Sequence, residues 1–117
     1  MRILVATQGK GGLEDIVSSV FGRAQSFTIV EVEGEEIKDV KTYTNPAANA
    51  FRGAGIQAAQ FVAEKNVNVV IAGNIGPNAL TALQQSGIQT VTSFAGVKVK
   101  DAIKAFLNNI NQVKNKI

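Results

Sequence analysis

The sequence predicts an α/β fold: a mixed five-stranded sheet with three main helices packed on its faces. Two apolar runs, residues 2–7 and 67–72, have the length and continuity of strands buried on both sides, and each breaks into a glycine-containing loop. Apolar residues recur at helical spacing in residues 53–65 and again from Val99 onward. Strand and helix patterns then alternate through the second half of the chain, as they do where parallel strands are joined by right-handed helical crossovers.

The elements follow in order. Ile3, Leu4, Val5 and Ala6 form the first strand, which opens into Gln8-Gly9-Lys10-Gly11-Gly12. Residues 13–21 carry no clear period and read as an irregular or briefly helical segment before Gly22. Residues 27–32 alternate and are β-branched, Gly34-Glu35-Glu36 is a turn, and residues 37–43 alternate again through Ile37, Val40 and Thr42; together they predict a β-hairpin. A polar loop, residues 44–52, is punctuated by Asn45-Pro46. The helix over 53–65 places Ile56, Ala59, Gln60 and Ala63 down one side, with Phe61 and Val62 beside them. The strand at 67–72 ends at Gly73-Asn74, and Gly76-Pro77 opens the next helix, with proline in the first turn where its missing N–H costs nothing. Ala79, Leu80 and Leu83 are its apolar stripe and Gly87 its stop. Residues 88–92 are the fifth strand. Val99, Ala102, Ile103, Phe106, Leu107, Ile110 and Val113 mark a terminal amphipathic helix. No linker, repeat or low-complexity tract interrupts the pattern, so one domain over residues 1–117 is expected.

Composition narrows the chemistry. Apolar residues make up 45% and charged residues 18% of the chain, which favours a buried core over disorder. The opening residues carry one charge and an apolar run too short for a signal peptide or a membrane span, so a cytoplasmic location away from any membrane is expected. There is no Cys and no His. Disulfides, thiolate nucleophiles, zinc sites and cysteine-ligated iron–sulfur clusters are thereby excluded, and acid–base chemistry near neutral pH loses its usual residue. Asp15, Glu31, Glu33, Glu35, Glu36, Asp39, Glu64 and Asp101, beside Glu14, fall mostly on the hairpin and on helix faces. The first and fourth strands contain no carboxylate, unlike the clustered acids that two-metal nucleases need. Ser18, Ser19 and Ser26 have no His to activate them, so no enzyme activity is expected. The net charge is +3, with Lys98, Lys100, Lys104, Lys114 and Lys116 near the end of the chain. These read as the solvated face of the terminal helix, with nucleic-acid binding the weaker alternative.

Ligands of open α/β sheets gather at the carboxyl ends of the parallel strands. Three glycine-containing segments should meet there: Gly9-Lys10-Gly11-Gly12, Arg52-Gly53-Ala54-Gly55 and Gly73-Asn74-Ile75-Gly76-Pro77-Asn78. Glycine lets backbone N–H groups approach a ligand, and helix starts add partial positive charge. Lys10, Arg23 and Arg52 supply formal charge, and Asn74 and Asn78 supply amide donors, so every feature favours a small anion. Turns and helix caps explain any one segment alone; three on one edge point to binding. None matches a P-loop or a dinucleotide fingerprint.

The segments GGLEDIVSSVFGRAQSFTIVEVE, GAGIQAAQFVAEKNVNVVIAGNIGPNALTAL and GIQTV resemble the dinitrogenase iron–molybdenum cofactor biosynthesis family, in its small stand-alone form, from Met1 to about Phe106. The resemblance implies a ribonuclease H-like fold. It also implies binding or carriage of an iron–sulfur or iron–molybdenum cofactor precursor without turnover, alongside a protein partner in cluster assembly. The matching positions are Gly11, Gly12, Phe21, Gly22, Arg23, Gly53, Gly55, Gly73, Asn74, Gly76, Pro77 and Asn78; Phe21 reads as a core anchor. Such a cluster would be held here without Cys or His ligands. A protein-interaction module with no small-molecule ligand stands as the alternative.

Overall fold

The computed structural model describes residues 1–115, the last five for their backbone only; Lys116 and the side chains of Val113 and Lys114 lie outside the described residues. The chain runs β1 (Arg2–Thr7), β2 (Ser26–Glu33), β3 (Glu36–Thr44), α1 (Ala54–Glu64), β4 (Val69–Ile71), α2 (Pro77–Gln85), β5 (Gln89–Val91) and α3 (Val99–Asn115). The strands form one sheet in the order β3-β2-β1-β4-β5. β1, β4 and β5 are parallel, and the β2–β3 hairpin attaches antiparallel on the other side of β1.

The continuous apolar run of β1 follows from its central place. Successive side chains of a strand point to opposite faces. Ile3 and Val5 therefore join Val30, Val69 and Ile71 under α3, while Leu4 and Ala6 join Phe27, Val70 and Ala72 under α1 and α2. On the first face α3 supplies cover through Val99, Ala102, Ile103, Phe106 and Leu107 at helical spacing, joined by Val17 and by Leu13, Phe94 and Val97 from the loops. On the second, Phe21 and Phe27 pack with ring centroids 5.5 Å apart, and Phe27 stacks on Phe61 at 5.7 Å. Phe21 is 1% exposed, the anchor its sequence context predicts.

α1 sits rotated from the face that its pattern predicts. Ala54, Ala58, Ala59 and Val62 are buried, while Ile56 and Ala63 are exposed. The cause is a close approach to α2: a Cβ on Gly55 would lie 3.1 Å from the Ala79 Cβ. The small residues of α1 set the contact face, and the larger Ile56 is left at the rim.

Residues 13–25 form no helix. Their backbone is satisfied by distant partners: Ser18 N donates to Ala6 O, Val17 N to Val97 O, Gly73 N to Ser18 O, and Phe21 N to Asn74 O. The segment is thus a spur wedged between the end of β1, the exit from β4 and the loop before α3. Glu14 ties it to Lys100 of α3 and to Lys98 just before that helix, at 2.8 and 3.2 Å, and the two ammonium groups hold its carboxyl below the usual range. Among the described residues no helix is long and apolar enough to cross a membrane.

Candidate functional site

At the carboxyl end of β4 the chain passes through Gly73 and Asn74 to Gly76, which precedes α2 with φ −60° and ψ 158°. Close by, Gly53 enters α1 in the left-handed region, φ 69°. The first N–H groups of any helix lack intrahelical acceptors. In both helices no side chain caps them, and neither first turn carries an acidic residue. Two positive helix ends, without a counter-charge of their own, are therefore presented side by side.

Glycine is what brings them together. A Cβ on Gly22 would sit 2.9 Å from both Cα and N of Gly55, and Gly55 in turn abuts Ala79. The spur and the start of α1 thus meet backbone to backbone, and the start of α1 meets α2 through the Ala79 methyl group. Between them lies a cleft of about 370 Å³, walled by Val20, Phe21, Gly22, Arg23, Gly53, Ala54, Gly55, Ile56, Asn74, Gly76, Pro77, Asn78 and Ala79. Gly76 differs from the glycines that pack: its φ is ordinary, and a Cβ there would meet nothing within 4 Å. Neither backbone nor packing requires glycine at that position, and it leaves bare backbone on the wall.

Of the residues predicted from sequence, the cleft gathers Gly22, Arg23, Gly53, Gly55, Asn74, Gly76 and Asn78. Arg23 stands at the exposed rim and donates through Nη1 to Ala50 O at 2.9 Å and, more weakly, to Ala48 O at 3.4 Å, which ties down the loop before α1. Gly73 lies behind the wall against Ser19 and Ala95. Arg52 is exposed outside the lining, with its guanidinium 5.8 Å from the ring centroid of the largely exposed Phe51.

Gly9, Lys10, Gly11 and Gly12 do not join the lining, and their loop already holds an anion. Asp15 Oδ2 accepts from Gly9 N at 2.9 Å and from Gly11 N at 2.8 Å, and Oδ1 accepts from Ile16 N at 2.7 Å. Gly12 N donates to Thr28 Oγ1 at 3.0 Å. The donors of this loop that were expected to face a ligand are turned instead to a carboxylate of the same chain. Asp15 lies outside the candidate residues read from sequence; the signal that could find it is an Asp three residues after a glycine-rich turn, within reach of its amides. Asp15→Ala strands three donors and should cost about 2–4 kcal/mol, read from urea unfolding. A loss below about 0.5 kcal/mol, the level of an ordinary surface change, would mean that water replaces the carboxylate freely.

Chemically, the cleft offers N–H groups, two carboxamides and a guanidinium, and no carboxylate lines it. Among the described residues no group of three or more His, Cys, Asp or Glu could hold a metal ion. A metal cluster fits only as an anion that brings its own ligands and is held by hydrogen bonds and helix ends.

Comparison with known proteins agrees with this architecture. Residues 1–109 match the family described as dinitrogenase iron-molybdenum cofactor. An uncharacterized protein of Methanocaldococcus jannaschii, MJ0580, is 37% identical over 91 residues, which cover 78% of this chain and 76% of that one. The apo form of the orange protein from Desulfovibrio gigas superposes with a TM-score of 0.83 at 34% identity, covering 92% of this chain and 88% of that one. A NifB-like protein from Thermotoga gives a TM-score of 0.75 at 33% identity, over 92% of this chain and 87% of that one. The chain belongs to the dinitrogenase iron-molybdenum cofactor family.

Proposed function

We propose that this chain is a non-catalytic, cytoplasmic carrier of a small anionic ligand, of the class of iron–sulfur or iron–molybdenum cofactor precursors, held in the cleft between the starts of α1 and α2. The observation that carries the reading is the convergence of two uncapped helix N-termini on one cleft whose walls hold no acid. Family membership supports the cluster class. The absence of Cys and His from the sequence makes the hold outer-sphere, so cargo can leave without a metal–thiolate bond being broken. A carrier of this kind hands its cargo to a protein partner in cluster assembly. The sheet order β3-β2-β1-β4-β5, with only β2 reversed, supports the ribonuclease H-like reading of the fold, here without catalytic carboxylates on β1 or β4.

The test is an anaerobic NMR titration of labelled protein with tetrathiomolybdate. Saturable amide shifts at Gly22, Arg23, Gly53, Gly55, Asn74, Gly76 and Asn78 are the expected result. Unmoved amides at millimolar ligand, a concentration that already admits binding as weak as about 4 kcal/mol, would remove the carrier reading.

A further inference from the structure

Asp, Glu, Lys and Arg are absent from the whole stretch between Lys65 and Lys98. That stretch includes β4, α2 and β5, and β5 is an outer strand of the sheet. The opposite outer strand, β3, carries Glu36, Lys38, Asp39 and Lys41, charges of the kind by which exposed edges resist pairing with another chain. β5 has no such protection. Gln89 N donates to Asn68 O at 3.0 Å and Val91 O accepts from Ala72 N at 3.1 Å, so both residues face β4. Thr90, between them, turns its N–H and C=O to the open side. Along this edge, between β5 and α3, runs a groove of about 560 Å³ whose walls include Val91, Phe94, Phe106 and Ile110.

We propose that this edge joins two copies of the chain, β5 against β5, antiparallel about Thr90. Charge selects a second copy as the occupant. The chain carries a net +3, so self-association through most of its surface brings like charges together, and among the described residues this side carries no charge that would oppose a second copy. A partner of opposite charge would find no charge here to recognise. The geometry is also self-complementary: Thr90 N–H and C=O of one copy meet those of the other around a two-fold axis perpendicular to the sheet. That axis keeps both α3 helices on one face, so the two grooves merge into one apolar layer. Lys100 and Lys104 stay clear of it, since they line the opposite flank of α3 beside Glu35 and Ile37.

Sedimentation equilibrium of the full chain, from about 1 μM to about 1 mM, tests the proposal across affinities of about 8 to 4 kcal/mol. A dimer is expected. An edge strand tolerates proline where its N–H faces outward, so Thr90→Pro should keep the fold while removing two inter-copy hydrogen bonds and raising the dissociation constant at least about tenfold. Thr90→Val keeps the N–H and should leave the dimer intact. Thr90→Lys keeps the N–H and places two like charges directly opposite each other at the axis, so it should weaken the dimer in a way that added salt relieves; it keeps the test open should the proline variant misfold. A chain that stays monomeric at millimolar concentration overturns the proposal, and this edge would then belong to a different protein. A dimer that neither Thr90→Pro nor Thr90→Lys weakens overturns it equally, because its interface lies elsewhere.

Discussion

Gly73→Ala should lower the unfolding free energy by about 3 kcal/mol, within the range for overpacking a tight site, and the melting temperature by roughly 10–20 °C for a domain of this size. The added Cβ would lie 2.7 Å from both Cα and O of Ser19 and 2.8 Å from the Ala95 Cβ. Two of these three atoms are backbone, so no rotamer change relieves the clash. Neither neighbour is free to retreat. Gly73 N is bonded to Ser18 O at 2.8 Å, Phe21 N to Asn74 O at 3.0 Å, and Gly96 N to Val17 O at 3.0 Å. Relieving the clash would pull apart the ladder that holds the spur between β4 and the loop before α3. Gly76→Ala, three residues on, is the internal control: the new methyl meets nothing within 4 Å, φ is −60°, and the change should cost under about 1 kcal/mol. Urea unfolding of the two variants, side by side, checks the contrast. Equal losses would show that the spur gives way and that Gly73 is not a packing constraint.

That pair of glycines shows where the sequence was informative and where it was silent. Period and punctuation make the elements legible, because burial on both faces of β1 and the single apolar stripe of α3 leave direct traces in residue order. The parallel core follows from strand–helix–strand connectivity, whereas the strand order β3-β2-β1-β4-β5 is set by tertiary packing. The spur at residues 13–25 leaves no such trace. Its shape is fixed by backbone bonds to Ala6, Asn74 and Val97, which are distant in sequence. The rotation of α1 is hidden for the same reason: Gly55 against Ala79 is a tertiary fact, and the helix's own pattern favours Ile56. The candidate site was half legible. Glycine marks places where the backbone comes close, but only the structure separates Gly22 and Gly55, which pack at the cleft, from Gly11, which packs on Thr28 and Thr42 and donates to Asp15, and from Gly76, which faces the cleft unpacked.

Asn78→Asp should act with opposite signs on stability and on binding, which is what isolates the proposed site from a general effect on the fold. Asn78 stands in the first turn of α2, on the wall of the cleft, and is exposed. A carboxylate there meets the positive end of the helix, where no acid is present, and should stabilise the protein by about 0.3–1 kcal/mol. The same charge faces any anion in the cleft. At a separation of about 5 Å and an effective dielectric between those of surface and bulk water, repulsion of a dianion is on the order of 2–3 kcal/mol, a loss of roughly thirtyfold or more in affinity. The loss should shrink as salt is added, since the position is open to solvent. Thermal unfolding and a tetrathiomolybdate titration, on the same preparation, read the two effects. Higher stability with unchanged affinity would place the ligand away from α2 and end the cleft reading. Lower stability would mean that the Asn78 carboxamide has a structural partner, and that the helix end is less free than the cleft geometry indicates.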